Sequence, residues 1–335
     1  MNGTMVTDDE ARVRALLHAA VDDVEPRPDA LPRLLAATRR HRSPRRRVLL
    51  GAGSAVAATA ALLLVLVVFP TGQRTAPVSI GPHGYLAITD LGVVSVFDVD
   101  SGQRQRELGR VDGGAAGPVA GSPERFFALV DGHVVAGGAD GELRRLPGTA
   151  TGQVLTAEGD RVAYLDGGAV VVADPAQRRV PIPPGTAVLD LALAEDGRLA
   201  VLLADPAGDV GIRVLPAGAA DFAAAGEIDV LGDCGPLSVT WTGGDVAALL
   251  PVSCGSADSR VATFDAETGR RLGGGVAFET GPLHPGSVQL STDRLGRFLV
   301  STAGTGQWLV DGGLIRPLPP ACAPGGQCAQ TPSSF

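Results

Sequence analysis

Phe97-Asp98-Val99-Asp100-Ser101-Gly102 and Phe264-Asp265-Ala266-Glu267-Thr268-Gly269 share one pattern: Phe-Asp, two variable positions, a hydroxyl residue and a glycine. Each follows a Val-rich, strand-like run and precedes arginines. An Asp that bonds its own backbone, followed by a Gly free to take positive φ, makes a tight turn between strands. Weaker echoes are Ala139-Asp140-Gly141, Ala173-Asp174-Pro175 and Val310-Asp311-Gly312. Taking Asp98, Asp140, Asp174, Pro216, Asp265 and Asp311 as equivalent points gives spacings of 42, 34, 42, 49 and 46. A period of about 40–45 residues with several strands per unit marks a propeller blade. About six such units fit between Pro77 and Pro320, and since a lone blade cannot bury both faces, they must stack in a ring.

A second element recurs, a small turn running into an apolar strand. It is seen at Glu158-Gly159-Asp160-Arg161-Val162-Ala163-Tyr164, at Glu195-Asp196-Gly197-Arg198-Leu199-Ala200-Val201, and at Arg297-Phe298-Leu299-Val300 after Gly296. The abundance of Gly (46) and Pro (25) also favours many turns and short strands over long helices. The expected fold class is therefore all-β, a β-propeller over 77–320.

The element Glu195-Asp196-Gly197-Arg198-Leu199-Ala200 resembles the "DG-x-x-A" element of TolB/WD40-like bacterial propellers, and the Phe-Asp-x-x-[ST]-Gly turn is similar to one in many WD40 and quinoprotein-like blades. The resemblance covers roughly 77–320 and implies a fold more than an activity. The aromatic and Gly-Trp signatures of quinoprotein cofactor binding are absent, so no cofactor is expected.

Ahead of the repeats, residues 48–69 read VLLGAGSAVAATAALLLVLVVF, 22 residues without a charge, followed by Pro70. A helix of that length spans about 33 Å, enough for the hydrocarbon core. Arg39, Arg40, Arg42, Arg45, Arg46 and Arg47 flank it on one side and only Arg74 lies near on the other, which puts the N-terminus inside. The rival reading is a cleaved export signal, with Arg45-Arg46-Arg47-Val48-Leu49 loosely like a twin-arginine motif; the run is longer than a usual signal core. On either reading the repeats lie outside the cytoplasm. The expected organisation is a cytoplasmic tail at 1–47, a transmembrane helix at 48–69, a linker at 70–76, the propeller at 77–320 and a C-terminal loop at 321–335.

In the tail, Thr7-Asp8-Asp9-Glu10 fits a capping box, and Val13, Leu16, Leu17, Val21 and Val24 follow at helical spacing. This short helix either leaves the arginines to fix topology or docks a cytoplasmic protein through that apolar face. Tail plus anchor resembles actinobacterial membrane proteins that accompany extracytoplasmic-function sigma factors, and the use of Arg with no Lys fits a GC-rich genome of that kind. The zinc-binding His-x3-Cys-x2-Cys pattern of zinc anti-sigma domains is missing, because 1–47 contains no Cys.

Charge is split along the chain. Residues 1–47 hold ten Arg and seven acids, and 70–335 hold 18 Arg and 29 acids. An acidic outer domain argues against nucleic acid as its partner. The four cysteines, Cys234, Cys254, Cys322 and Cys328, read as disulfides in an oxidising compartment, with a metal site as the alternative. Of three pairings, Cys234–Cys254 is favoured because the two flank a hairpin centred on Gly243-Gly244; Cys322–Cys328 then closes a small Pro-Gly loop.

No G-x-S-x-G elbow, P-loop or dinucleotide glycine motif occurs. His83, His133 and His284 each sit in a turn-like context, and Asp98-x-Asp100-x-Gly102 is only half a calcium loop. The leading expectation is a non-enzymatic binding or sensing domain for an extracytoplasmic protein or cell-envelope ligand. The alternatives are a transmembrane regulator whose tail controls a cytoplasmic transcription factor, and a propeller-scaffold hydrolase or lyase built on those histidines.

Overall fold

The computed structural model describes residues 84–89, 92–111, 116–138, 141–174, 176–230, 234–302, 306–321 and 334–335, all within the unit Pro77–Phe335. They form six antiparallel sheets. Blade 1 holds β1 (Gly84–Ile88), β2 (Val93–Asp98) and β3 (Arg104–Arg110). Blade 2 holds β4 (Ala116–Gly121), β5 (Arg125–Val130), β6 (His133–Gly138) and β7 (Arg144–Arg145). Blade 3 holds β8 (Leu155–Glu158), β9 (Arg161–Asp166), β10 (Ala169–Asp174) and β11 (Ala176–Pro181). Blade 4 holds β12 (Ala187–Leu193), β13 (Leu199–Ala204), β14 (Val210–Leu215) and β15 (Gly226–Ile228). Blade 5 holds β16 (Ser238–Thr242), β17 (Asp245–Pro251), β18 (Asp258–Phe264) and β19 (Arg271–Gly274), with β20 (Phe278–Glu279) also on β18. Blade 6 holds β21 (Val288–Thr292), β22 (Phe298–Thr302), β23 (Gly306–Asp311) and β24 (Leu314–Leu318). Within each blade, neighbours in sequence pair in space.

The second strand of each blade shows why the sheets stack. Residues on a strand alternate between its two faces. In β13, Leu199, Val201 and Leu203 pack toward blade 3, whereas Ala200 and Leu202 pack toward blade 5. A strand buried on both faces must be apolar throughout, and β13 reads LAVLLA. The same sorting yields six separate cores, one between each pair of neighbouring blades, the last joining blade 6 to blade 1. Six cores for six sheets define a closed six-bladed propeller. Both recurring sequence elements fall at fixed points in it. The Asp-Gly turns lie between third and fourth strands, at Asp98 and Asp265, and the turn-strand elements lead from first to second strands at Arg161, Arg198 and Arg297.

Blade 1 draws its missing innermost strand from the far end of the sequence. Ser334 pairs antiparallel with Leu86 of β1, its N–H donating to the Leu86 carbonyl at 2.9 Å and its carbonyl accepting from the Leu86 N–H at 2.6 Å. The Phe335 N–H donates to Ser291 Oγ of β21 at 3.0 Å, and its ring packs against the core between blades 6 and 1. Gly102, with φ +65°, lies so close to Pro319 that a Cβ there would stand 2.0 Å from Pro319 Cγ. The turn glycine of blade 1 is thus needed both for its backbone and for this contact across the seam.

Cys234 and Cys254 are bonded, with Cα atoms 5.1 Å apart, beside the β16–β17 hairpin. Closing a loop of 20 residues is worth about 3 kcal/mol in the chain-entropy model. The double variant Cys234→Ser, Cys254→Ser should lose about that much in urea unfolding of the full-length chain, with β16–β17 still paired. Cys322 and Cys328 lie outside the described residues, as do the tail, residues 48–69 and the linker. Among the described residues no helix is long and apolar enough to cross a membrane.

Candidate functional site

The first strands of blades 2 to 6, with Ser334, line the central channel. It narrows to a cavity of about 80 Å³ among Thr156, Asp190, Val239, Leu290 and Phe335. That volume admits a few waters and no organic ligand. Side chains cross it from blade to blade. Thr156 Oγ1 accepts the Leu193 N–H at 3.4 Å. The Asp190 carboxylate accepts from Ser238 Oγ–H, from the Val239 N–H at 2.9 Å and from the Leu191 N–H at 2.8 Å. Ser238 Oγ in turn accepts the Leu290 N–H at 2.9 Å. One carboxyl and one hydroxyl therefore tie blades 4, 5 and 6 together. A register shift between Val188 and Asp190 marks a bulge immediately before this residue, a device that re-aims a side chain. Burial pushes the Asp190 carboxyl up to about 6, against the hydrogen bonds from Ser238, Val239 and Leu191 that favour its charge. Glu158, also on the channel, is raised by burial and then by the charge of Glu195.

Arginines at the start of second strands form a belt at one end of the propeller. Arg161 donates to the Glu195 carbonyl of the next blade, and Arg198 donates to the Gly244 carbonyl of the blade after it at 3.2 Å, stacking on Trp241 with its Cζ 4.7 Å from the ring centroid. Arg297 turns instead onto its own Asp293 at 2.7 Å. Arg125 is the equivalent on blade 2, and its reach is looser: Nε stands 3.6 Å from Asp160 Oδ1 and donates no hydrogen bond although the atom is buried. Its Cζ lies 5.4 Å from the Phe127 ring centroid.

At that loose contact the ring opens into a cleft of about 700 Å³ between blades 2 and 3. Its size is that of a small-molecule site. The outer strand of blade 2, β7, is only two residues long, so it covers little of the space beside blade 3. Phe127, Val162 and Tyr164 contribute to an apolar wall, with Leu146 and Pro147 beside them. Tyr164 Oη accepts from Gln177 Nε2 at 2.9 Å, and burial raises its pKa. Arg125, Arg144 and Arg145 line the cleft against a single acid, Asp160. Among the described residues neither Arg144 nor Arg145 has an ion-pair partner. A second cleft of about 560 Å³ beside blade 4 is acidic: Asp205 is tied into its own turn by Ala207 and Asp209, and Arg213 is held by Glu227 at 2.6 Å.

The structure scatters the residues singled out by chemistry. His133 Nδ1 lies 3.1 Å from the Gly148 carbonyl at the β5–β6 turn, while His284 sits exposed in the connection to blade 6. His83 and the tail residues Val13, Leu16, Leu17, Val21 and Val24 lie outside the described residues. Asp98 Oδ1 accepts from the Asp100 N–H at 3.0 Å, the Ser101 N–H at 2.7 Å and Ser101 Oγ–H at 2.8 Å, and Asp265 repeats this with Glu267 and Thr268. Both turns are closed by their own backbone, and among the described residues no group of three or more His, Cys, Asp or Glu could hold a metal. Asp190, Ser238 and the arginines of the cleft were not anticipated. The one available signal was an acid inside the apolar run AVLDLAL of β12.

No protein-family model matches the chain, and no curated protein matches it. Among solved structures it is similar to a Bacteroides caccae protein of unknown function, at 12% identity and TM-score 0.49, over 75% of this chain and 98% of that one. It is also similar to YCF48 bound to a D1 peptide, at 12% identity and TM-score 0.42, over 70% of this chain and 78% of that one. The propeller assignment rests on the six sheets and six cores themselves.

Proposed function

We propose that this chain is a membrane-anchored, extracytoplasmic β-propeller that acts as a non-enzymatic binding or sensing module, with the cleft between blades 2 and 3 as its ligand site. The observation that carries the reading is that this cleft is open and lined by Arg144 and Arg145, which have no ion-pair partner among the described residues, while the central channel is crossed by hydrogen bonds between blades. The uncharged run 48–69 behind an Arg-rich flank supports the anchor. The partner is a cell-envelope ligand or an extracytoplasmic protein.

With an epitope at each end of the full-length chain, protease added to intact protoplasts should destroy the C-terminal epitope and spare the N-terminal one. In the same strain Gln177→Trp, which fills the cleft from its exposed rim, should reproduce the deletion phenotype at normal abundance. The triple variant His83→Ala, His133→Ala, His284→Ala should leave function intact. A protected C-terminal epitope sinks the topology. Normal function of Gln177→Trp sinks the site, and loss of function in the folded histidine variant restores the enzyme reading.

A further inference from the structure

We infer that the cleft between blades 2 and 3 takes an organic anion, a carboxylate or phosphate ester carried on a flat apolar body; the inference rests on that cleft being the ligand site. Three arginines face one acid in the lining, within a region, 70–335, where 29 acids outnumber 18 arginines. A local excess of cations on an acidic body is unlike a general basic surface and selects for a ligand that carries its charge at one end. Arg144 and Arg145 are exposed on β7, and no fixed acid among the described residues has to be displaced for them to bind an anion. Arg125 lies over Phe127 with Asp160 Oδ1 3.6 Å from its Nε, so the ring and the acid together hold its guanidinium at the cleft. A planar fork of that kind matches the paired oxygens of a carboxylate or phosphate.

The wall opposite calls for the other half of the ligand. Phe127, Val162 and Tyr164 are buried in the core between blades 2 and 3 and form the floor of the cleft, over which Leu146, Pro147 and Ala173 supply the accessible apolar surface. An aromatic or other flat apolar group laid there would be fixed by area, and Gln177, already bonded to Tyr164 Oη, leaves its amide oxygen free to accept from a ligand donor. The acidic cleft beside blade 4, where Arg213 is committed to Glu227, serves as an internal control.

The test is isothermal titration of the purified full-length chain with 1-naphthyl phosphate, 1-naphthoate, inorganic phosphate and the neutral 1-naphthalenemethanol. One or both naphthyl anions should bind at one site, and the tighter of them identifies the headgroup. Arg144→Gln with Arg145→Gln should weaken that binding roughly tenfold or more, the loss expected for charge-assisted hydrogen bonds, at an unchanged melting temperature. The neutral alcohol and inorganic phosphate should each bind at least tenfold more weakly, and Arg213→Gln should change nothing. Equal binding of the alcohol, an unchanged affinity in the double variant, or no binding by either anion overturns the ligand class. The cleft itself is judged separately: Gln177→Trp should abolish binding of whichever probe binds, and binding that survives it places the site elsewhere.

Discussion

A chain lacking Ser334 and Phe335 should be less stable by about 4–5 kcal/mol, a large part of the stability of an ordinary domain. Two backbone hydrogen bonds to Leu86 and one from Phe335 to Ser291 would go, at about 1 kcal/mol each. Loss of the partly buried Phe335 ring adds about 2 kcal/mol. The larger consequence is topological. Without Ser334, β1 becomes the inner edge of blade 1 and its carbonyl and amide at Leu86 are left without partners inside the ring. Hydrogen exchange should locate the effect, with the Leu86 amide losing protection first and β1–β2 following. Ser334→Pro separates closure from packing, since it deletes the N–H that reaches Leu86 and keeps Phe335. If Ser334→Pro and the deletion both leave the urea midpoint and the Leu86 amide unchanged, blade 1 is not closed by this strand.

That seam is also where the sequence was least informative. The repeats from Asp98 to Asp311 were legible because the units carry turn residues of their own, most plainly at Asp98 and Asp265, where an Asp caps its backbone ahead of a Gly at positive φ, and these are local devices. Six equivalent points therefore appeared at the right spacing, and the five among the described residues fall where a third strand ends or has just ended. The Cys234–Cys254 hairpin was legible for the same reason, being built from neighbours in sequence. The pairing of Ser334 with Leu86 has no local signature: two residues at opposite ends of the propeller meet only because the ring closes. The clefts were hidden in a similar way. Arg125, Arg144 and Arg145 read as scattered surface charges until β7, at two residues, proves too short to cover the space beside Tyr164. Arg161 and Arg198 stand at the same point of the repeat as Arg125 and differ only in finding a carbonyl on the next blade, a distinction set by neighbouring turns rather than by the motif.

Asp190→Ala should cost about 3–5 kcal/mol, more than most core truncations of similar volume, because it removes the acceptor for three donors at once. Ser238 Oγ–H and the N–H groups of Val239 and Leu191 would be left in a cavity that holds few waters. The pH dependence then runs opposite to that of an exposed, hydrogen-bonded Asp. The ordinary value is 3.8 and the folded value about 6, so between these pH values the folded chain holds a proton that the unfolded chain has released. Stability from this group is therefore greatest below 3.8 and is lost as pH rises through about 6, with a span of about 3 kcal/mol at 1.36 kcal/mol per unit. Asp98, Asp196 and Asp265 act in the opposite sense. Burial alone would raise Asp98 and Asp196, but hydrogen bonds from the Ser101 and Arg198 backbone and side chains outweigh it, and the Thr268 N–H lowers Asp265. What they contribute is present above the ordinary carboxylate range and lost as pH falls below it, outside the Asp190 window. Glu158 is raised too, by burial and then by the charge of Glu195, and so acts in the same sense as Asp190; the informative quantity is therefore a difference between two chains. Asp190→Asn removes the titration and, with an amide facing backbone N–H donors, loses at least one hydrogen bond. In urea unfolding at pH 7, 6, 5 and 4.5, wild type should gain on the Asn variant by about 2 kcal/mol on going from the first pH to the last. Parallel curves across that range would mean that Asp190 keeps an ordinary carboxyl and that its three donors balance the cost of burying its charge.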